Sequence, residues 1–269
     1  MSNMQKERNF VVPHDFSKAA DNALMQAIEI AEPSSSKVYV LHVVSKENEV
    51  HEAKSKLNEI LSSSSYRNLE KHIKNGSIFN VIGEFAEEKS ATAIIMGTHG
   101  AKGMQKIFGS FAMKVIISTS IPFMVVQKDS EIKKVNRICI NIESSAESMQ
   151  ITRLASYLAK TYHGKIHIIA EKSFDKSKAF KIKNNMVLLS KHLNKIEVDY
   201  KLELLDNNND WGQTVLKYGR ENSMDMYAYS YDSDRFLASN DKFSQSLLFN
   251  EDHIPCLIIN AKQITSTYF

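Results

Sequence analysis

The sequence predicts an α/β protein made of two tandem, doubly wound parallel sheets of five strands each. Three observations predict it. Short apolar or β-branched runs alternate with segments whose apolar residues recur at helical spacing, the order expected of a parallel sheet covered by helices on both faces. The chain has 269 residues, comfortable for two domains of roughly 130 residues. The pattern also restarts after the charged stretch QKDSEIKKVN (127–136), which divides the chain into a first domain, 1–130, and a second, 136–269.

Each element of the first half has its own signal. FVVP (10–13) is a β-branched run, and behind a Ser17 N-cap the residues Ala20, Leu24, Ala27, Ile28 and Ala31 recur at helical spacing. KVYVLHVV (37–44) is the next strand, followed by a helix carrying Ala53, Leu57, Ile60 and Leu61 and a polar break at the serines 62–65. A strand over 69–73, a helix over 78–91, the buried strand TAIIMG (92–97), the helix SFAMKVIIST (110–119) and the closing strand IPFMVV (121–126) complete the set.

The second half begins with RICINI (137–142), a helix over 145–162 and the strand KIHIIA (165–170). Placing Ile121-Pro122 on Ile254-Pro255 then aligns 75–126 with 208–259 without a gap. In that register Ile82 falls on Val215, Phe85 on Tyr218, Ala91 on Met224, and IPFMVV on IPCLII. Core character kept over so long a segment points to duplication. Each half closes on an apolar strand, and such a strand at an open edge invites pairing. A tandem chain can satisfy both edges internally, with any homodimer formed through a different surface.

Composition removes several classes of function. The 34 basic and 31 acidic residues nearly balance and are interspersed, so neither nucleic acid nor a membrane is expected as a partner. No apolar run is long enough to span a bilayer and the N-terminus does not resemble a signal peptide, so the expected location is cytoplasmic. Cys139 and Cys256 lie inside apolar runs and read as buried strand residues, not as a disulfide or a metal site. P-loop, nucleophile-elbow and kinase motifs are absent from the sequence.

Chemistry concentrates in AIIMGTHGAKGMQKIFGS (93–110), where Gly97, Gly100, Gly103 and Gly109 account for four of only nine glycines. The aligned residues of the second half are Ser230, Ser233, Phe236 and Lys242, and Ser110 falls on Phe243. A turn needed only for the fold would have kept some of these glycines, so the first copy meets a further demand. Close approach of an anion to backbone N–H groups at the start of a helix fits that demand, with Ser110 adding a hydroxyl. In a parallel sheet the ligand crevice lies at the carboxyl ends of the strands where their order reverses. Asp15 stands at such an end and can accept hydrogen bonds from a ribose or a base edge.

These residues resemble the nucleotide-binding members of the universal stress protein family, which carry Gly-x-x-Gly, nine residues, then Gly-Ser/Thr, with an Asp just after the first strand. Here the pattern is Gly97-Thr98-His99-Gly100, then Gly109-Ser110, with Asp15 in VPHDFS. The resemblance covers the whole chain as a tandem of two adenine nucleotide α-hydrolase-like domains, with the motif confined to the first. It implies that Pro13, His14, Asp15 and Val43 line the adenine and ribose side, and that Met96, Gly97, Gly100, Gly109, Ser110 and Phe111 line the ribose and phosphate side. It further implies a stress-response regulator that binds ATP or AMP, with or without Mg2+, acts on a protein partner and leaves a homodimer open. Two departures bear on the phosphates: eight residues, not nine, separate Gly100 from Gly109, and Ala112 stands where some ATP-binding members have a hydroxyl residue. Pro13 and Asp15 are expected to fall near Ile140 and Ile142 in the second copy, which degrades its adenine side.

Other readings of the same residues stand beside this one. The glycines can serve the βα turn alone, and Asp15 can cap the first helix with Ser17. His14 and His99 on adjacent strand ends could hold a metal, although a third ligand is not in view. His42 reads as a satisfied core or interface histidine, Met96 and Met104 as packing, and Trp211 as packing at a helix start or lining a small pocket. Functionally the alternatives to a binding module are a weak nucleotide hydrolase, with His99 or Asp15 orienting a water, and a ligand-free scaffold that presents its surface to a partner.

Overall fold

The structure, a computed structural model, describes residues 8–98, 108–207, 209–231 and 241–261, with backbone only for 108–111. It divides into two compact units, Met1–Lys133 and Lys134–Phe269.

The first unit runs β1 (Asn9–Pro13), α1 (Lys18–Ala31), β2 (Lys37–Val44), α2 (Val50–Ser62), β3 (Leu69–Asn75), α3 (Ile78–Glu88), β4 (Ala91–Thr98), α4 (Phe108–Ile117) and β5 (Phe123–Gln127). Its strands lie in the order β3-β2-β1-β4-β5, all parallel. The central strands are near-continuous apolar runs because helices cover both of their faces: Phe10, Val11, Val12, Val38, Ile94 and Ile95 are all buried. The order reverses between β1 and β4, which opens a crevice at their carboxyl ends. Helix α3 stops at Glu88, short of the expected residue 91, because Ser90 turns the chain at a φ of 49° and Ala91 already pairs with Asn9.

The second unit repeats the plan with β6 (Arg137–Asn141), α5 (Thr152–Thr161), β7 (Lys165–Glu171), α6 (Lys176–Lys195), β8 (Asp199–Leu205), α7 (Trp211–Glu221), β9 (Met226–Tyr231), α8 (Lys242–Leu248) and β10 (Cys256–Asn260). Its parallel order is β10-β9-β6-β7-β8. The helix expected over 145–162 is broken into a 3-10 turn, Ala146–Met149, and α5. Ser145 caps the turn by accepting from Ser148 N–H, and Ile151 N–H is diverted to Ser230 Oγ at 3.3 Å. Helix α6 and strand β8 have no counterpart among the elements read from the sequence.

Strand register corrects one alignment. Val11 pairs with Tyr39 and Ile94, and Cys139 pairs with His167 and Tyr227. Val11 and Cys139 are therefore equivalent, so Pro13 and Asp15 correspond to Asn141 and Glu143, one residue later than the expected Ile140 and Ile142. The second copy keeps an acid where the first has Asp15.

Candidate functional site

The β1–α1 connection builds one wall of the crevice. His14 N–H extends the β1–β2 ladder by donating to Leu41 O at 2.8 Å. Two residues on, Phe16 takes a left-handed backbone conformation, φ 64°, costly for a side chain of its size and held only where the surroundings impose it. Three contacts impose it here. Phe16 N–H donates to His14 Nδ1 at 3.2 Å, Ser17 N–H donates to Asp15 Oδ1 at 3.1 Å, and Ser17 Oγ accepts from Ala20 N–H at 3.3 Å to cap α1.

These bonds assign the histidines. Because His14 Nδ1 accepts, its proton sits on Nε2, which faces Asp21 Oδ1 at 3.2 Å as an electrostatic contact without good hydrogen-bond alignment. The ring is buried, and burial pushes its pKa below the ordinary histidine value, opposed by Asp21 and Asp15. His14 thus braces the loop with its ring and offers the crevice little beyond its backbone. His42 donates from Nδ1 to His14 O at 2.7 Å and stacks on Phe16 with ring centroids 4.4 Å apart. Lys56 Nζ lies 5.3 Å from the Phe16 centroid. Asp15 serves the turn with one carboxylate oxygen, while the helix cap itself is Ser17. Its second oxygen takes no partner among the described residues.

Strand β4 forms the opposite wall, and alternation decides what each residue does. A Cβ on Gly97 would lie 2.2 Å from Ala19 O and 2.7 Å from Ala20 N. The glycine is required by the approach of α1, a packing demand that the sequence motif conceals. Met96 and Thr98 point to the other face, where Ile78 and Ile82 of α3 and Ala112 and Val115 of α4 close the space. The resulting cavity of about 160 Å3 is lined by Pro13, His14, Asp15, His42, Val43, Met96, Gly97 and Thr98 together with these apolar residues.

The structure therefore brings together six of the expected residues: Pro13, His14, Asp15, Val43, Met96 and Gly97. Gly109, Ser110 and Phe111 lie in the first turn of α4, their side chains outside the described residues, as are Gly100, Gly103 and His99. Two polar lining residues were not among those expected. His42 was read as a satisfied core or interface histidine. Thr98 is buried with an Oγ1 that has no hydrogen-bond partner among the described residues, an orphan normally satisfied by water or a ligand. Its position between two motif residues was the available signal. Among the described residues no group of three or more His, Cys, Asp or Glu could hold a metal ion, and no helix is long and apolar enough to cross a membrane.

The equivalent place in the second unit is filled. Tyr229 and Tyr231 replace Met96 and Thr98 and are buried, and Phe243, at the Ser110 position, meets Tyr229 edge-on at 5.3 Å. Ser230 replaces Gly97 and its hydroxyl donates to Ser148 O at 3.2 Å, so the 3-10 turn stands where α1 would otherwise approach. Trp211, at the Ile78 position, donates from Nε1 to Asn141 Oδ1 at 3.1 Å. Beside this filled place lies a cavity of about 20 Å3, lined by Glu143, Ser148, Tyr229, Ser230 and Asp241 among others.

Comparison with known proteins is consistent with this geometry. Residues 7–127 match the model of the universal stress protein family. A universal stress protein of Methanocaldococcus jannaschii is 31% identical over 141 residues, covering 45% of this chain and 82% of that protein. Among solved structures, a universal stress protein from Archaeoglobus fulgidus superposes with a TM-score of 0.72 at 13% identity, over 95% of this chain and 99% of its own. A functionally unknown protein from Pseudomonas aeruginosa PAO1 gives 0.59 at 13% identity, over 96% and 94%. At such identities the structural likeness speaks for the fold alone.

Proposed function

Because the chain belongs to the universal stress protein family, we propose that its first unit is a non-enzymatic regulatory module that holds one adenine nucleotide, ATP or AMP, while its second unit holds none. The observation that carries this reading is the contrast between the two copies: a crevice of about 160 Å3 in one, and in the other buried Tyr229 and Tyr231 in place of Met96 and Thr98, with Phe243 against Tyr229. The cavity suits a nucleotide's apolar, flat end. Ile78, Ile82, Val115 and Met96 supply the walls, Thr98 Oγ1 is a buried polar atom in want of a partner, and Asp15 keeps an open carboxylate oxygen for a ribose hydroxyl. The space is smaller than the roughly 300–1000 Å3 of complete small-molecule sites, so the sugar and phosphates would extend towards Gly109 and Ser110 at the start of α4, where the helix dipole favours an anion. Any Mg2+ would arrive with the phosphates.

The test is a calorimetric titration with AMP and with ATP, alongside mass spectrometry of small molecules released from freshly purified protein. One nucleotide per chain is expected. Gly109→Val should abolish binding because a branched Cβ would occupy the phosphate approach. Asp15→Ala should weaken it, and Lys242→Ala, at the start of α8, should not. Two equivalent sites, or unchanged affinity in Gly109→Val, would refute the reading. Turnover of ATP by stoichiometric protein would move it to a hydrolase.

A further inference from the structure

The second unit carries a surface with no equivalent in the first. Residues 172–195 hold seven lysines against one acid, Asp175, a local net charge of +6 in a chain whose formal net charge is +3. The remainder of the chain is thus net acidic. Most of these lysines ride on α6, whose Ile182, Met186, Leu189 and Leu193 are buried against the unit. On the outward side Lys176, Lys181, Lys183, Lys191 and Lys195 are exposed and make no ion pair among the described residues.

Apolar side chains stand among them. Phe174, just before the helix, is fully exposed, and Phe180 is 65% exposed. With Val187 and Leu188 of α6 and Leu202 and Leu204 of β8, they make six of the eight large apolar side chains exposed among the described residues. Phe174, Ala179, Ile182 and Leu204 also line a groove of about 390 Å3. At the N-terminal end of the helix the acids are already engaged: Asp206 pairs with Lys172 at 2.8 Å, Glu171 lies 3.9 Å from Lys178, and Asp175 caps α6 by accepting from Lys178 N–H.

Helix α2 is the internal control. It connects the equivalent strands of the first unit, yet it carries Glu52 and Glu59 against Lys54 and Lys56 and exposes no large apolar side chain. The fold therefore does not demand the charge or the exposed phenylalanines of α6.

We propose that the outward face of α6, with Phe174 and Leu204, docks on an anionic lipid bilayer. Interleaved lysines and aromatic side chains on a convex helix face suit a bilayer surface, where the rings enter the headgroup boundary and the ammonium groups meet lipid phosphates. Lysines act there as point charges, and the patch has none of the arginine forks that fit single carboxylates or phosphates. The net acidic remainder of the chain is repelled by the same bilayer, which turns this face towards it. The expectation of no membrane contact rested on chain-wide charge balance, which averages this segment away.

The experiment is co-sedimentation of the full chain with phosphatidylcholine vesicles, with and without roughly one-third phosphatidylglycerol, at low and at physiological salt. Binding is expected only to the anionic vesicles and weakens with salt. Each basic residue close to an anionic leaflet contributes roughly fivefold in affinity, so Lys176→Gln/Lys183→Gln should lose about 25-fold. Phe174→Ser/Phe180→Ser should lose several-fold at unchanged charge, and Lys54→Gln on α2 should bind as the parent does. Circular dichroism checks that the variants are folded, and all the substituted side chains are exposed. The proposal fails if neutral vesicles bind equally, if anionic vesicles do not bind at low salt, or if the phenylalanine variant binds undiminished. It also fails if soluble polyglutamate is preferred to the vesicles, which would make the partner an acidic polypeptide.

Discussion

Gly97 lies so close to Ala19 that a Cβ there would sit 2.2 Å from its carbonyl oxygen. Backbone cannot yield as a flexible side chain does, so Gly97→Ala must push α1 away from β4. Overpacking of this kind costs about 1–3 kcal/mol or more. Urea unfolding should show a lower midpoint, with nucleotide affinity falling as a consequence of the displaced wall. Gly97 would thus differ from Gly109, whose substitution is expected to act on binding alone.

Thr98→Val should separate binding from stability in the opposite sense. The Thr98 hydroxyl is buried without a partner among the described residues, so replacing it with a methyl removes a desolvation penalty and should leave stability unchanged or raised. If that hydroxyl meets the nucleotide, affinity falls by roughly three- to tenfold, the worth of about 0.5–1.5 kcal/mol for one hydrogen bond. Calorimetry and urea unfolding on the same preparation check both halves.

Acid should destabilise the protein through several histidines, His14 and His167 among them. Burial is the main cause that holds both His14 and His167 below the ordinary histidine value. His167 Nδ1 also shares a 2.8 Å hydrogen bond with the Tyr218 hydroxyl. At neutral pH both rings are uncharged whether the chain is folded or not, and stability is unaffected. Below about pH 6.5 the unfolded chain binds protons that the folded one refuses, so stability falls as pH falls. Urea midpoints measured from pH 7.5 down to 5.5 should decline, and His167→Gln should flatten that decline. A midpoint independent of pH would contradict the assignment.

Trp211 is the one tryptophan of the chain and belongs to the filled site, bonded to Asn141. Its emission should therefore remain unchanged while nucleotide saturates the first unit. Trp211→Phe leaves the Asn141 oxygen without its donor at a cost of about 1–3 kcal/mol, and should keep the stoichiometry at one. A spectral shift at saturation would place ligand in the second unit.

The sequence by itself determined the fold class, because alternation of apolar runs with helical periodicity leaves a parallel sheet as the arrangement that buries both. It also located the crevice: strand ends mark their own position, and FVVP, KVYVLHVV and TAIIMG each stop at polar residues. Duplication was legible for the same reason, since core positions keep their apolar character when surface positions drift. What each crevice residue does was decided only by tertiary structure. A glycine spared for a ligand and a glycine spared for a helix look alike in a string, and Gly97 took the second role because α1 crosses β4 there. His14 and Thr98 likewise took roles that only folding settles, the His14 ring meeting Asp21 and the Phe16 backbone and the Thr98 hydroxyl no partner among the described residues. Helix α6 escaped notice because lysines and phenylalanines interrupt its apolar stripe. Only once Ile182, Met186, Leu189 and Leu193 turn inward does the remaining face declare itself, since exposure is a property of packing and not of composition.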